Sequence, residues 1–513
     1  MLVTSHIDGS VVRGDAGVLE STNPAQLDDV VAEVSLATAD QLVSAFRAAR
    51  SAQPGWAATP APVRGRVIAQ IGRLVEANAE ELAALVVREV GKPLAEARGE
   101  VQEIVDTCDF FLGEGRRLYG QTVPSEMRDK QLFTFRAPVG VAGIITAGNF
   151  PVAVPAWYLV PALLCGNAVV WKPAEYAAAL GDALSRIFLA GGLPSGVLNT
   201  VHADGPTTFD GLSKALDLRL VDKIGFTGSS DVGARIGELA GRHLQSPCLE
   251  LGGKNPLVVM GDADVDLAAE GALFSGFGTA GQRCTSLGVA IVHDSVYDAF
   301  LERFVGRVSA ARLGDPREDV LYGPMLSERF LHGFEKWLGE VQPHHQVHGS
   351  QGLGRITAAN PRAGFVGDPD AGAFAHPTVV TGVRQEDALY ANETFGPLVP
   401  VMRFSSFDEA VELANGHGYG LSSAIYTASA ASAFRFRERV SAGMVSVNNS
   451  TSGAEAHLPF GGNGRSGNGS RQSGVWVLDQ FTRWQSMNWD YAGKLQKAQM
   501  DTEATAADPG FRL

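Results

Sequence analysis

Hydrophobic and polar residues follow two different patterns along the chain. In the first hundred residues, Thr38 and Asn78 each stand three positions before Gln41 or Glu81, a spacing typical of a capped helix start. The apolar positions after Asn78 recur with helical spacing until the sequence Gly-Lys-Pro at residues 91–93. The pattern therefore predicts that the N-terminal segment is mostly helical.

From residue 131 onward, short apolar runs alternate with segments that are compatible with helices. The runs expected to be strands are residues 131–136, 139–146, 168–172, 196–201, 223–227, 256–260, 289–293, 378–381, 422–426, 444–447 and 485–491. Strands that alternate with helices are typical of parallel sheets covered by helices. Two successive α/β domains are predicted, with residues 349–377, rich in Gly, Pro, Ala and Asp, as an irregular surface excursion.

Composition narrows the classes of function. The chain has 513 residues, is 45% hydrophobic and carries a net charge of −14, which suits a globular protein of about three domains. The negative charge argues against partners such as nucleic acid or an acidic membrane surface, so a small molecule is the expected partner. No basic segment followed by an apolar core opens the sequence, and a cytoplasmic location is expected.

The four cysteines are Cys108, Cys165, Cys248 and Cys284. They form no Cys-x-x-Cys pair, and no histidines stand at metal-ligand spacing in the sequence. Reduced thiols and no metal site are therefore expected.

Candidate chemistry is concentrated in residues 247–286. Glu250 and Cys284 each stand beside glycines that permit close approach to the backbone, and together they are interpreted as a base and a nucleophile. Taken alone, each residue favours a simpler interpretation, namely a buried free cysteine and a carboxylate at a turn or on the surface.

The sequences Glu-Leu-Gly-Gly-Lys at 250–254 and Gly-Gln-Arg-Cys at 281–284 together resemble the base and nucleophile motifs of the aldehyde dehydrogenase superfamily, in the same order and at a similar separation. The resemblance implies an α/β fold with three parts. These are a Rossmann-type NAD-binding domain (residues 1–120 and 138–250), an α/β catalytic domain (251–450), and a small β oligomerisation domain with a C-terminal extension (121–137 and 484–513). It also implies a homodimer or homotetramer.

The resemblance extends to the cofactor. Lys172 and Glu175 stand in a Lys-Pro-x-Glu motif that holds the adenosine ribose in this superfamily, and a carboxylate there favours NAD, although NADP is possible. The helix start after residues 223–227 would receive the pyrophosphate. The other cofactor-binding residues that the resemblance implies are Gly228, Ser229, Gly233, Leu251, Glu393 and Phe395.

For catalysis, the resemblance places Asn149 of an Asn-Phe-Pro segment beside the Cys284 backbone N–H as an oxyanion hole. Cys284 would attack the aldehyde carbonyl, and Glu250 would activate water to hydrolyse the thioester. Two positions depart from many relatives. Trp157 is followed by Tyr158 instead of lysine, and the glutamate expected after Ser-Gly-x-Gly-Arg is absent from residues 466–471, so both groups of a proton relay are replaced.

Residues 99–103, 149–154, 278–285 and 451–455 are most similar to the aminoadipate-semialdehyde, or antiquitin-type, dehydrogenases. That similarity implies that Glu103 and Arg283 contact the amino-acid end of a substrate. The full set of expected substrate residues is Glu103, Phe150, Trp157, Arg283, Thr285 and Phe460. Alternatives stay open, because the three aromatic residues equally suit an apolar tunnel for aliphatic or aromatic aldehydes, Glu103 a solvated helix face, and Arg283 a structural ion pair.

Three rival classes are less well supported by the residues. A CoA-acylating dehydrogenase would not need Glu250, and a noncatalytic binding or structural descendant would be expected to lose Cys284, Glu250 or Asn149. A cysteine hydrolase would use a histidine partner and would leave the two ribose-binding motifs unexplained.

Overall fold

Strands make up five sheets in the computed structural model, which describes residues 1–349, 351–497 and 507–513. In chain order the strands are β1 (Leu2–Val3), β2 (Ser5–Ile7), β3 (Ser10–Val12), β4 (Val18–Asn23), β5 (Gln26–Ser35), β6 (Thr122–Val123), β7 (Lys130–Pro138), β8 (Val141–Ile145), β9 (Ala168–Lys172), β10 (Leu198–Thr200), β11 (Lys223–Thr227), β12 (Cys248–Glu250), β13 (Asn255–Val259), β14 (Leu287–His293), β15 (Gln346–His348), β16 (Thr378–Thr381), β17 (Leu398–Phe404), β18 (Tyr419–Gly420), β19 (Ser422–Tyr426), β20 (Met444–Val447), β21 (Asn463–Gly464) and β22 (Thr482–Asp490).

Helices cover the faces of the two larger sheets. In chain order they are α1 (Ala39–Ala58), α2 (Ala61–Ala77), α3 (Ala79–Val90), α4 (Leu94–Arg117), α5 (Ala153–Leu164), α6 (Ala178–Ala190), α7 (Gly205–Asp217), α8 (Ser230–Arg242), α9 (Val265–Phe277), α10 (Tyr297–Ala310), α11 (Glu328–Leu338), α12 (Ala388–Ala391), α13 (Phe407–Asn415), α14 (Ala430–Arg439) and α15 (Leu478–Phe481). Within the described ranges, no helix combines the length and the apolar character needed to cross a bilayer.

The first large sheet has the strand order β12-β11-β8-β9-β10-β2-β3. Strands β8 to β12 are parallel, and β2 and β3 extend the sheet antiparallel beside β10. The chain adds β9 and β10 on one side of β8 and then crosses over to add β11 and β12 on the other side. In open α/β sheets a ligand binds where this reversal occurs, at the carboxyl ends of the strands, which here are the ends of β8 and β11.

The second large sheet has the order β15-β16-β17-β14-β13-β19-β20, and all its pairs are parallel except β15 with β16. Its strands are almost continuously apolar, as expected for a sheet that is buried on both faces. The predicted α/β class and the alternation of strands and helices are confirmed.

A third sheet stands apart from the two large ones. Strand β7 pairs antiparallel with β22 over nine residues and with β6 on its other side. The strand predicted at 485–491 is therefore present with slightly different bounds. Residues 498–506 of the expected C-terminal extension lie outside the described residues, and the division into three domains stays a prediction.

The expectation that the first hundred residues are mostly helical is confirmed, because α1 to α3 and the start of α4 occupy more than half of them. Strands β1 to β5, within the first 35 residues, were not expected. Thr38 does form the capping box of α1, but the Asn78 side chain makes no capping hydrogen bond to α3. Strand β17 was not expected. It contains Pro400, a residue that usually argues against a central strand, yet it lies between β16 and β14.

The buried carboxylate of Glu89 connects α3 to the start of α6. It accepts hydrogen bonds from the backbone N–H groups of Ala179 and Leu180, both at 2.8 Å, and from the Ser21 hydroxyl at 2.9 Å. These contacts fix the start of α6, which directly follows the turn Glu175–Ala177. Glu89 of α3 thus helps to set the position of Glu175.

We expect Glu89→Gln to lower the free energy of unfolding by about 1 to 3 kcal/mol, because an amide NH₂ would face backbone donors that need an acceptor. Thermal unfolding followed by fluorescence measures the change. Glu80→Gln is the matched control, since Glu80 is an exposed partner of Arg98 and its loss should hardly move the midpoint. Equal midpoints for both variants would contradict this account of Glu89.

Candidate active site

The loop that carries Cys284 begins in an unusual backbone conformation. Thr279, Ala280 and Gly281 have φ values of 52°, 54° and 69°, so three successive residues are left-handed. A Cβ on Gly281 would lie 2.3 Å from the Gly396 carbonyl oxygen. Only glycine permits this approach, and the nucleophile loop is thereby seated against the segment that contains Glu393.

Asn255, at the start of β13, fixes the other end of this loop. Its amide Nδ2 donates to the carbonyl oxygens of Cys284 at 2.8 Å and Ser286 at 2.7 Å, and its Oδ1 accepts from the Ser422 N–H at 2.9 Å. Sequence reasoning assigned no role to Asn255. Its place directly after the Glu-Leu-Gly-Gly-Lys motif is the signal that could have drawn attention to it.

Cys284 is half-buried, whereas Cys108, Cys165 and Cys248 are buried, and all four are free. Burial raises the pKa of the Cys284 thiol well above its ordinary value, and the carboxyl groups of Glu250 and Glu393 raise it further. The thiol is therefore predominantly protonated in the free protein at neutral pH.

Asn149 follows the carboxyl end of β8, at the point where the strand order reverses. Its amide Nδ2 donates to the Gln282 carbonyl oxygen at 2.9 Å, two residues before Cys284. An amide carries two hydrogens, so the second can donate to a group bound beside the cysteine. The structure thus brings Asn149 to the nucleophile loop.

Glu250 ends β12 and is 1% exposed. Its Oε1 has no hydrogen-bond partner in the structure, and burial raises the pKa of its carboxyl well above the usual range. Nearby Arg471 and the Gly462 backbone N–H act in the opposite direction, but their effects are smaller than that of burial. A buried carboxyl with a free oxygen is suited to accept a proton from a bound water.

Two of the expected cofactor residues form an ion pair at the end of β9. Lys172 Nζ lies 3.0 Å from Glu175 Oε2, and burial lowers the pKa of the Lys172 ammonium. Asp204, which caps α7 by accepting from the Thr207 N–H at 2.8 Å, also lies close enough to influence Lys172. The surroundings of Lys172 therefore contain two carboxylates.

The turn between β11 and α8 is built around close contacts. A Cβ on Gly233 would lie 2.3 Å from Leu251 Cδ2, so the missing side chain lets α8 approach the strand that carries Glu250. The Gly228 N–H donates to the Glu250 carbonyl oxygen at 3.1 Å, and Ser229 caps α8. This start of a helix lies at the topological reversal and leaves N–H groups for an anion.

Glu393 lies directly against the base motif. A Cβ on Gly252 would fall 1.8 Å from Glu393 Oε2, and the Gly253 N–H donates to Glu393 Oε1 at 3.2 Å. Burial raises the pKa of Glu393 to about 7, and burial lowers the pKa of Lys254 to about 7, with the Lys254 Nζ left without a partner. Phe395 has a left-handed backbone with φ 44°.

The geometry has counterparts in known proteins. The aldehyde dehydrogenase family profile matches residues 11–487. The chain belongs to the aldehyde dehydrogenase family. An alpha-ketoglutarate semialdehyde dehydrogenase of Haloferax volcanii is 37% identical over 483 residues, which cover 93% of this chain and 97% of the relative. An alpha-aminoadipic semialdehyde dehydrogenase of Bos taurus is 35% identical over 492 residues, which cover 95% and 88%.

Solved structures agree with this family membership. A betaine aldehyde dehydrogenase from Staphylococcus aureus, in complex with NAD⁺, matches with a TM-score of 0.90 and 28% identity over 96% of each chain. An NADP-dependent enzyme from E. coli matches with a TM-score of 0.88 and 31% identity over 95% of this chain and 98% of that one. The expected aldehyde dehydrogenase fold is confirmed.

In this aldehyde dehydrogenase, Arg283 is engaged within the protein. Its guanidinium lies 2.6 Å from Glu96 Oε2, and its Nε donates to the Thr279 hydroxyl at 3.1 Å. Thr279 in turn donates to the same Glu96 carboxylate. The ion pair favours the structural interpretation of Arg283, and a contact with substrate stays a prediction.

The other expected substrate residues form two groups. The rings of Trp157 and Phe460 pack at 4.5 Å between centroids, and Glu103 lies near the Trp157 indole. Burial raises the pKa of Glu103 to about 8, and its Oε1 has no partner. Lys92 Nζ lies over the Phe150 ring, 3.4 Å from its centroid.

Thr285 belongs with the loop behind the nucleophile. Its hydroxyl lies 3.4 Å from the Ser452 hydroxyl, and its carbonyl oxygen accepts from the Thr451 hydroxyl at 2.8 Å. Residues 451–455, which were singled out in the sequence, are therefore adjacent to the Cys284 loop. A role in substrate binding for Thr285 stays a prediction.

A pocket of about 490 Å³ adjoins Glu103. Helix α4 contributes Asp106 and Phe110 to its wall, and the loop after Gly453 contributes Glu455 and His457. Carboxyl groups thus predominate among its charged groups. A larger cavity of about 980 Å³ shares none of the expected site residues and is lined by the ion-paired Arg88 and Arg317.

The structure groups His344, His345 and Asp387, which the sequence did not mark as a possible metal site. Both imidazoles contact Asp387 Oδ2, at 3.0 and 2.9 Å, and the same oxygen accepts from the Arg384 N–H at 2.7 Å. His345 Nδ1 accepts from the Gln342 N–H, so its Nε2 carries the proton that it donates. These hydrogen bonds account for the cluster without a cation.

We expect iodoacetamide to modify Cys284 before the other three cysteines, because only Cys284 is half-buried. Since its pKa is raised, thiolate is scarce at pH 8 and the rate should keep rising, about tenfold per pH unit, up to pH 9 and beyond. Peptide mass spectrometry on timed samples measures both effects. Cys284→Ser is the control, and a rate that levels off below pH 9 would contradict the raised pKa.

Proposed function

We propose that Cys284, Asn149 and Glu250 are the residues with which this aldehyde dehydrogenase oxidises an aldehyde to a carboxylic acid. The observation that carries the assignment is the convergence of the three on one loop, with Asn149 hydrogen-bonded to Gln282 and with Glu250 close enough to raise the pKa of Cys284. Three independent segments of the chain meet there.

In the proposed reaction, the Cys284 sulfur forms a bond to the aldehyde carbon while the Asn149 amide and the Cys284 N–H receive the developing oxyanion. The thiol proton leaves to solvent or to a base. Breaking the C–H bond of this adduct, with loss of hydride, leaves a thioester. Glu250 then removes a proton from water, the resulting hydroxide adds to the thioester carbon, and the C–S bond breaks to release the acid and the thiolate. A buried carboxyl with one free oxygen suits this hydrolytic step.

The residues present fit NAD(P). Lys172 and Glu175 would hold the adenosine ribose, the N-terminus of α8 with Gly228 and Ser229 would receive the pyrophosphate, and Glu393 would hold the nicotinamide ribose. The unpartnered Lys254 ammonium beside Glu393 and the glycine contacts at Gly252 are consistent with a cradle for a polar group. When bound, the nicotinamide would supply the acceptor for the hydride that leaves the carbon attached to Cys284, and this loss oxidises the adduct to the thioester.

We propose NAD as the preferred cofactor. Glu175 and Asp204 both lie near Lys172, and two carboxylates would repel the additional phosphate of NADP.

We expect the enzyme to have a higher kcat/KM with NAD than with NADP, and Glu175→Gln to reduce that preference by about tenfold or more, because one repulsive charge is removed. Steady-state rates at 340 nm with each cofactor measure the ratio. Glu81→Gln, a change of an exposed glutamate on α3, is the matched control. An unchanged ratio in Glu175→Gln would overturn the assignment of Glu175.

For the substrate, we propose a semialdehyde derived from an amino acid. The name of the Bos taurus relative supports this class. The pocket beside Glu103 supports it as well, since Asp106 and Glu455 would attract the ammonium group of such a substrate. A bound ammonium would also favour ionisation of Glu103, whose pKa is raised to about 8 by burial.

We expect a higher kcat/KM for aminoadipate semialdehyde than for α-ketoglutarate semialdehyde or hexanal, because only the first carries an ammonium group. Asp106→Asn should lower the value for aminoadipate semialdehyde about two- to fivefold and leave that for hexanal unchanged. Asp109→Asn, on the exposed face of the same helix, is the matched control.

Cys284→Ala should abolish turnover of every aldehyde in this panel. If hexanal were the best substrate and Asp106→Asn had no selective effect, the apolar alternative would replace the semialdehyde proposal. Residual turnover by Cys284→Ala would overturn the assignment of the nucleophile.

We also propose that the protein forms a homodimer or homotetramer through the sheet of β6, β7 and β22. This ribbon exposes Phe135, Trp484, Met487 and Trp489, which are 44%, 52%, 46% and 58% exposed. A three-stranded ribbon with so much exposed apolar surface is unlike the surface of a typical monomer. A second copy of the chain would cover these side chains.

An intracellular, cytoplasmic location is our further proposal. All four cysteines are free, and a reactive thiol such as the one proposed for Cys284 is preserved best in a reducing compartment.

A further inference from the structure

Gln472 lies beside the proposed base, on a segment that has no part in the reaction described above. The residue is fully buried, and its backbone is paired with Phe460 through two hydrogen bonds of 2.7 and 2.8 Å. This bridge fixes the position from which the side chain extends. The Gln472 amide therefore reaches the Glu250 carboxyl from a rigid support.

Hydrogen bonding determines the orientation of the Gln472 amide. With its nitrogen toward the base, the amide donates to Glu250 Oε2 at 3.1 Å and to the Phe460 carbonyl oxygen at 2.9 Å, and its oxygen accepts from the Tyr158 hydroxyl at 3.2 Å. The opposite orientation would set the amide oxygen against two acceptors. Only the first orientation gives both the nitrogen and the oxygen of the Gln472 amide suitable partners.

Tyr158 and Cys248 hold the far end of this amide. The Tyr158 hydroxyl also contacts the Thr227 hydroxyl at 3.0 Å, and the Cys248 sulfur lies 3.0 Å from the amide group of Gln472. Burial raises the pKa of both Tyr158 and Cys248, so both remain neutral and keep their protons. Both can therefore donate to the amide oxygen and keep its nitrogen facing Glu250.

We propose that Gln472 is a positioning residue that holds the Glu250 carboxylate for hydrolysis of the thioester, with Tyr158 fixing the orientation of the amide. This inference rests on the proposed function of Glu250 and Cys284. Tyr158 and Gln472 thus form a neutral hydrogen-bonded chain that ends on the proposed base.

The charges around Glu250 define the expected dependence on pH. Arg471 lies on the same segment as Gln472 and stabilises the carboxylate, whereas Cys284, Cys248 and Tyr158 are neutral at ordinary pH. An N–H donated to a carboxylate stabilises its ionised form, so removal of the Gln472 donor must raise the pKa of Glu250. The base must be ionised to act, and the ascending limb of turnover against pH should therefore move to higher pH.

The test compares Gln472→Met, which preserves side-chain length but removes the amide, with Gln472→Glu and Tyr158→Phe. We expect Gln472→Met to lower kcat at neutral pH by about tenfold and to move the ascending limb upward by about one pH unit. Gln472→Glu should move the limb at least as far, because it adds a like charge beside Glu250. Tyr158→Phe should move it less, because the amide nitrogen remains present.

Single-turnover NADH formation separates hydrolysis from the earlier steps. Gln472→Met should form NADH within about twofold of the wild-type rate, and acid-quenched samples should show more acyl-enzyme at Cys284 by mass spectrometry. Gln245→Met is the matched control, since the Gln245 side chain donates to the Val221 carbonyl oxygen, away from the site, and the kinetics of this variant should be unchanged.

If Gln472→Met lowered the rates of NADH formation and of turnover equally and left the pH profile unchanged, Gln472 would have only a structural role. That result would overturn the proposal. Unaltered kinetics in Gln472→Met would overturn it as well. A wild-type enzyme that forms neither NADH nor acyl-enzyme would instead refute the proposed function, and the two failures are therefore distinguishable.

Discussion

The candidate site depends on hydrogen bonds from two asparagine side chains to the loop that carries Cys284. Asn149 extends from the end of β8 in the first large sheet, and Asn255 begins β13 in the second. Their amides donate to the carbonyl oxygens of Gln282 and Cys284, so both sheets fix the same short loop. Without these contacts, a left-handed turn that contains Thr279 and Ala280 would be costly to maintain.

Burial of ionisable groups is the second constraint. Glu250 and Lys254 lie almost completely out of solvent around the base motif, and Glu393 is half-buried beside them. Burial raises the pKa of each carboxyl and lowers that of the ammonium. These shifts favour the uncharged form of each group. A small change in a hydrogen-bond partner can therefore alter whether the group is protonated. The Gln472 amide, the Gly253 N–H and the Arg471 guanidinium are the partners that the fold provides for these carboxyl groups.

The groups directly behind the base carry no charge. Gln472 contacts Glu250, and Tyr158 contacts the other end of the Gln472 amide. Because Tyr158 stays protonated and Gln472 cannot ionise, the support for Glu250 depends on the direction of hydrogen bonds. The packed rings of Trp157 and Phe460 and the pocket beside Glu103 belong to the proposed substrate site and not to the support of the base.

The sequence by itself determined the α/β class, most strands of the two large sheets, and the family, because short apolar runs and glycine-rich motifs are local properties of the chain. It did not reveal strands β1 to β5, of which β1 and β5 pack against the distant helix α6, or β17, which keeps a proline in a central position. Only the tertiary structure paired Arg283 with Glu96 and set Gln472 beside Glu250. Such contacts join residues about 190 to 220 positions apart, and no local pattern in the sequence records which of the possible partners will meet.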